Sequence, residues 1–380
     1  MKYNFDNLAN RKNSDSIKWI VKDDELPMWI ADQDFKCLPQ IKEAILNKLN
    51  VEAYGYQDIP NSIFVNSANW YNKRYNSNFN PEKMLFCEGV VATITSTIRH
   101  LLNKGDNVTI ITPVYNIFFN SIINNECNPI QVELNEDESI NFEILEEAFK
   151  ISKLFILCNP HNPVGKIYTK NELEKIGELA HKYHLIVISD EIHCDFLTEK
   201  SLFTSFSCVN EVNREISITC ISPSKTFNVA GMKGSLIHIF NDDLYQKVKL
   251  AINHDEVAEP NFFVCDVINA CYLYGSDYVD QMNAYIYQNK LILKEFVDEY
   301  LPHVKYEIKD ALYLAWLDLS FYQDEDIASR IKDEVGLILS NGKIYGNGGK
   351  YFVRMNLATS HEYVKIGLNM LKKALNKFEK

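Results

Sequence analysis

Six short apolar runs, at residues 83–86, 107–111, 153–158, 185–189, 216–221 and 235–239, alternate with segments of helical period through the middle of the chain. Runs this apolar read as strands buried on both faces, and the helices between them supply the cover. The pattern predicts a largely parallel sheet with helices on both sides. One intervening segment, 169–184, carries its own start signal. Thr169 can cap, Glu172 completes a capping box, and Leu173, Ile176, Leu179 and Ala180 make one apolar face. In open sheets of this kind ligands bind at the carboxyl ends of the strands, so the residues just after each run are where chemistry is expected.

The ends of the chain read differently. Residues 39–49 are helical within an otherwise irregular first fifty. A helix at 288–301, short strands at 313–317 and 350–355 and a helical tail at 362–378 indicate a smaller α+β unit, with which the first fifty residues pack. The 39 basic and 51 acidic side chains give a formal net charge of −12, which argues against nucleic acid or an anionic membrane as partner. No apolar run has membrane-span length, and residues 1–12 lack the apolar core of a secretory signal. Nine scattered cysteines form no C-x-x-C pair and read mostly as small buried hydrophobes of a reducing cytoplasm.

Four strand ends carry candidate chemistry. Lys225, in Ile221-Ser-Pro-Ser-Lys-Thr-Phe-Asn-Val-Ala-Gly231, follows a strand and is flanked by Ser224 and Thr226. A lysine so placed can form a Schiff base with a carbonyl if its surroundings lower its pKa, while Ser222 and Ser224 can donate to a phosphate. Taken alone, the same spacing fits a surface-turn lysine. Asn159-Pro-His-Asn-Pro-Val-Gly165 is a stiff loop able to aim Asn162 at a ligand oxygen, or simply a connection. Asp190-Glu-Ile-His193 puts a carboxylate where it can pair with a protonated ring nitrogen or cap a turn. Glu88-Gly-Val-Val-Ala-Thr93 opens a helix, whose free amides can bind an anion. The glycine signatures of dinucleotide and nucleoside-triphosphate sites are missing. His161 is read as an outward loop residue, and His181 and His184 as helix-end residues. His100, His238, His254, His303 and His361 show no metal spacing with one another. Trp19, Trp29, Trp70 and Trp316 read as core or interface anchors, and the acidic 135–139 run as a solvated turn.

Together these motifs resemble the fold-type I pyridoxal-phosphate enzymes of the class I/II aminotransferase family, and within it the cystathionine β-lyase (C–S lyase) branch of MalY and PatB type. The likeness rests on Ser16-Ile-Lys-Trp19, Pro27-Met-Trp-Ile-Ala-Asp-Gln-Asp-Phe35, Gly89-Val-Val91, Pro113-Val-Tyr115, the Asn159–Gly165 loop, Asp190-Glu-Ile-His193, Ser222-Pro-Ser-Lys-Thr-Phe-Asn-Val-Ala-Gly231, Tyr313-Leu-Ala-Trp-Leu-Asp318 and Phe352-Val-Arg-Met-Asn-Leu-Ala358. It implies an α/β aminotransferase-like fold, with a large cofactor-binding domain at 50–275 and a small domain made from 1–49 and 276–380. It implies pyridoxal 5′-phosphate as cofactor. Lys225 would hold it covalently and later move the substrate Cα proton. Asp190 would pair with the pyridine nitrogen, Asn162 with the ring hydroxyl, and Tyr115 would stack on the ring. The backbone at Val90 and Val91, with Ser222 and Ser224, would hold the phosphate, helped by Lys233 if that residue is not simply solvent-exposed. Tyr56 would reach the phosphate from the other subunit of a homodimer. Arg354, aided by the Ala31 backbone, would clamp the substrate carboxylate. His193 stands where many aminotransferases have tyrosine, which favours the lyase branch.

Three functions are compatible with these residues: β-elimination from cystathionine or cysteine-like amino acids, amino-group transfer to a 2-oxo acid, and a cofactor-binding regulatory protein with weak catalysis. Intact Lys225, Asp190 and Arg354 count against the third. The sequence departs from the family pattern at Gln33, Asn116, Leu312 and Thr359, positions the resemblance places near the substrate side.

Overall fold

The computed structural model describes residues 2–12 and 14–378. A two-residue strand β1 (Leu26–Pro27) and helices α1 (Pro39–Leu49) and α2 (Asn61–Tyr75) precede the central sheet. Its strands are β2 (Met84–Cys87), β3 (Asn107–Thr112), β4 (Asn128–Glu133), β5 (Leu154–Cys158), β6 (Ile186–Asp190), β7 (Ser217–Ile221) and β8 (Ser235–His238). Among them run α3 (Val90–Leu101), α4 (Ile117–Ile123), α5 (Phe142–Ile151), α6 (Lys170–Lys182), α7 (Glu211–Ile216), α8 (Pro223–Thr226) and, after β8, α9 (Asp242–His254). Then come α10 (Val264–Tyr274), the long α11 (Ser276–Tyr300), β9 (Leu314–Asp318), α12 (Ile327–Val335), β10 (Leu337–Ile338), β11 (Ser340–Asn341), β12 (Phe352–Asn356) and α13 (His361–Phe378).

The seven strands lie in the order β2-β8-β7-β6-β5-β3-β4. Only β8 is reversed, antiparallel to both β2 and β7. The strands do separate their side chains by alternation. In β5, Leu154, Ile156 and Cys158 pack with Ile94 and Ile98 of α3 and Val248 of α9, whereas Phe155 and Leu157 pack with Phe149 of α5 and Leu173 and Ile176 of α6. Both faces are therefore apolar, as a covered sheet requires, and each buried aliphatic side chain contributes about 1.5–3 kcal/mol. The capping box at Thr169 and Glu172 forms as expected.

All six anticipated sheet strands are present, within a residue or two at each end; Ile216, read as strand, is the last residue of α7. The sequence reading missed β4. Its run, Asn-Pro-Ile-Gln-Val-Glu, contains a proline and is only partly buried. Both facts follow from its place at the sheet edge, where Pro129 costs no ladder bond on the solvent side. Helix α11 begins at Ser276, twelve residues before the expected start at 288.

The two ends of the chain share a core. Leu26 and Met28 pack with Leu293, Val297, Val353, Met355 and Leu371, and β1 pairs in parallel with β10. Phe5, Phe35 and Ile41 belong instead to a cluster with Phe227 and Tyr278. The nine cysteines are free thiols and seven are buried. Among the described residues no helix is long and apolar enough to cross a membrane.

Candidate active site

A cavity of about 600 Å³ opens at the carboxyl ends of the parallel strands. Its wall includes Val90 and Val91 after β2, Tyr115 after β3, Asn162 after β5, Asp190 and His193 at the end of β6, and Ser222, Ser224 and Lys225 after β7. Because β8 is reversed, Lys233 and Gly234 just before it reach the same rim. Ala31 enters from the N-terminal segment. Ala31 and Asn162, 131 positions apart in sequence, thus line one cavity only through the fold.

Lys225 sits on the short helix α8, which Ser222 caps by accepting the Ser224 amide at 3.1 Å. Its Nζ donates to the Ala31 carbonyl at 2.8 Å. Its own carbonyl accepts from Gln33 Nε2 at 2.6 Å, and that amide also reaches the Thr226 carbonyl. Thr226 Oγ1 donates to the buried Asp195 at 2.8 Å. The 31–34 turn is anchored from behind as well: Lys18 Nζ donates to Asp34 at 2.8 Å, and Trp19 Nε1 donates to the same carboxylate at 2.9 Å. Lys18 is fully buried, and breaking such a pair typically costs about 3–5 kcal/mol, so the turn facing Lys225 is held firmly.

Arg354, on β12, donates through Nη1 to Asn162 Oδ1 and through Nη2 to the Trp29 carbonyl, both at 3.0 Å. Its buried Nε has no partner within the chain. Asn162 therefore uses its oxygen on Arg354 and keeps its amide nitrogen for a ligand. The loop bearing Asn162 is fixed by His161, which contacts the Pro113 carbonyl at 2.8 Å and the Tyr168 hydroxyl at 2.9 Å. His161 is buried, which corrects its reading as an outward residue. The loop leaves at Gly165 with φ +85°, where an added Cβ would lie 2.8 Å from Lys309 Cβ.

Burial sets the electrostatics. It pushes Asp190 up to about 7, against the Ile192 amide and Lys225. A cationic group placed beside Asp190 would restore its ionised form. Burial lowers Lys225, with Asp32 opposing and Arg354 assisting. Burial, then Lys225 and Arg354, holds His193 well below the usual histidine range, so the ring is neutral; its Nδ1 is buried without a partner. Tyr115 is raised by burial and by Asp190. A carboxylate at one end, helix-start amides and hydroxyls at the other, and a lysine between them suit a flat ligand with a cationic ring nitrogen, a carbonyl and a phosphate.

The aminotransferase class I and II family model matches residues 30–371. The chain belongs to this family. Cystathionine beta-lyase PatB of Bacillus subtilis is 33% identical, over 98% of this chain and all of its own length. Cystalysin from Treponema denticola, whose structure contains pyridoxal 5′-phosphate, superposes with a TM-score of 0.94 at 30% identity, covering 99% of this chain and 100% of that one. A pyridoxal-phosphate-bound chain from Clostridium difficile, assigned as an aminotransferase, superposes with a TM-score of 0.95 at 32% identity, covering 98% and 100%. The fold is thus the aminotransferase-like α/β fold anticipated above.

Within this family member, every residue singled out for the cofactor lines the cavity except Tyr56. Tyr56 is fully exposed. Lys233 is exposed at the rim with φ +54°. Ser222 already donates its hydroxyl to the Gly234 carbonyl at 2.7 Å, so a phosphate contact requires that proton to turn. The Ala31 carbonyl faces Lys225, while Trp29 supplies the carbonyl for Arg354. Gln33, Asn116, Leu312 and Thr359, the departures from the family pattern, lie outside the cavity wall. Sequence reasoning missed Gln33 as the support of Lys225, Asp195 behind Thr226, and Thr95, Ser96, Arg99 and Asp255 in the wall. The spacing of Thr95, Ser96 and Arg99 after the strand-end motif was the available signal, since residues three or four apart share a helix face.

Proposed function

We propose that this protein is a pyridoxal-5′-phosphate-dependent carbon–sulfur β-lyase acting on L-cystathionine or cysteine-like amino acids. For L-cystathionine, the Cβ–S bond breaks, one water is consumed, and pyruvate, ammonia and homocysteine are released. The carrying observation is the full-length likeness to cystathionine beta-lyase PatB, combined with Lys225, Asp190, Asn162 and Arg354 around one cavity. Bound pyridoxal phosphate would supply an electron sink for the bond-breaking at Cα and Cβ.

The chain's own residues do the rest. Asp190 pairs with the ring nitrogen, and the Asn162 amide donates to the ring oxygen. Tyr115 lies against the ring. The Val90 and Val91 amides, Ser222, Ser224 and Lys233 take the phosphate. Arg354 and the Ala31 backbone hold the substrate carboxylate, leaving Cα–H beside Lys225, which takes the proton. Neutral His193 adds no charge at the ring. We assign residues 50–275 to the large domain and 1–49 with 276–380 to the small one; the packing of Leu26 and Met28 against Leu293 and Val353 supports this division.

A second reading, aminotransferase, is favoured by the Clostridium difficile neighbour. One assay separates the two. Incubation with L-cystathionine and no keto acid is expected to release pyruvate and a thiol. No pyruvate or thiol, with the amino group instead passed to a supplied keto acid to form the corresponding amino acid, would establish the transferase.

We further infer a cytoplasmic homodimer in which Tyr56 reaches the partner's phosphate. The exposed Leu46, Leu49, Val51, Tyr54 and Tyr56 provide an apolar stretch for such a contact. Light scattering should give twice the chain mass of 44.0 kDa, and Tyr56→Phe should weaken cofactor retention. A monomer of full activity would refute the arrangement.

A further inference from the structure

His100 and His254 stand 154 positions apart, yet the fold brings them together beside Asp255. His100 lies in the last turn of α3, His254 ends α9, and Asp255 caps that helix. His100 Nε2 is 2.9 Å from Asp255 Oδ1, and His254 Nδ1 is 3.7 Å from the same oxygen. The two rings meet edge to face with centroids 4.6 Å apart. One donor atom from each of the three residues can be chosen so that all lie within 4.8 Å of one another.

We propose that His100, His254 and Asp255 form a binding site for a divalent transition-metal ion such as zinc. Ligand atoms bonded tetrahedrally at about 2.0–2.1 Å stand about 3.3 Å from one another, and the two measured separations bracket that value. Two imidazoles and one carboxylate are donors of the type zinc accepts, and three protein ligands leave a fourth position for water. The carboxylate is prepared for the task. Ser96 Oγ and Arg99 Nη1 both bind its other oxygen, Oδ2, at 2.7 and 2.9 Å, which orients the group and leaves Oδ1 to the histidines. One carboxylate oxygen is thus held from the protein side, and the other faces the two imidazoles. The Arg99 charge weakens cation binding, and its position on Oδ2 rather than Oδ1 limits that cost.

Access is open. A second cavity, of about 880 Å³, has His100 and His254 in its wall, with His181 and His184 also lining it. Asp255, Ser96 and Arg99 also belong to the wall of the candidate active site. The ion would therefore pin the end of α9 to α3, the helix whose first turn carries Val90 and Val91. The expected consequence is structural: a bound ion resists separation of the two helices.

The test uses the cofactor-loaded protein, stripped of metal, titrated with zinc against a chromophoric chelator, with thermal unfolding in parallel. Wild type should bind one zinc per chain and unfold at a higher temperature when zinc is present. His254→Ala removes an exposed side chain and should keep the fold. It should weaken zinc binding at least about tenfold and abolish the thermal shift, because one of three protein ligands is gone. His100→Ala should do the same. Cobalt should give the visible absorption of a low-symmetry site in wild type and lose it in His254→Ala. Wild type that binds no zinc even at a large excess over protein, or variants that bind it as tightly as wild type, would overturn the proposal.

Discussion

Replacing Lys225 with alanine is expected to lower pyruvate release from L-cystathionine by at least about a thousandfold, the scale on which a positioned proton-transfer group acts. On the proposed assignment two roles would be lost together, the covalent hold on the cofactor and the base beside Cα. The geometry leaves no substitute. Lys225 Nζ lies inside the cavity, 2.8 Å from the Ala31 carbonyl, and burial lowers its pKa towards a value useful for proton transfer. The other lysine in the wall, Lys233, is exposed at the rim. Borohydride treatment of wild type should fix the cofactor to the peptide containing Lys225, and mass spectrometry of a digest reads this directly. A label on any other lysine would mean that the site has been mapped wrongly.

The second large effect is expected at Arg354. Its alanine variant should lose about a hundredfold in kcat/KM, since truncating a buried hydrogen-bonded charge costs about 2–5 kcal/mol. The cofactor should stay bound, because Arg354 uses Asn162 Oδ1 and the Trp29 carbonyl and leaves the Asn162 amide, Asp190 and Lys225 to the ring. Arg354→Lys should recover little, because a point charge cannot reproduce the two-pronged contact. If the variant sheds the cofactor, or if its cofactor-loaded form binds and turns over substrate as wild type does, the substrate assignment of Arg354 fails.

Much of the site was legible because its residues follow strands. A buried strand is announced by its apolar run, and the residue that leaves it must emerge at the sheet's edge. Asp190, Asn162, Ser222 and Lys225 stand out as candidates in this way, and the fold brings them to one cavity. β4 was not, since an edge strand with one solvated side carries neither an unbroken apolar run nor a ban on proline. His161 was misread for a different reason. A histidine in a polar loop looks exposed until the partners that satisfy it, the Pro113 carbonyl and the Tyr168 hydroxyl, are seen to be buried with it.

The sequence by itself determined the strand and helix alternation, the cap at Thr169, and which strand ends carry candidate groups. Those depend on local pattern and on side-chain type, which are written along the chain. Tertiary structure alone decided what faces what. Gln33 and Lys225 are 192 positions apart, as are Asn162 and Arg354, and His100 and Asp255 are 155 apart. Such pairs are joined by the packing of whole elements. Their distances, burial and charge therefore depend on the fold as a unit, and no short stretch of sequence contains them.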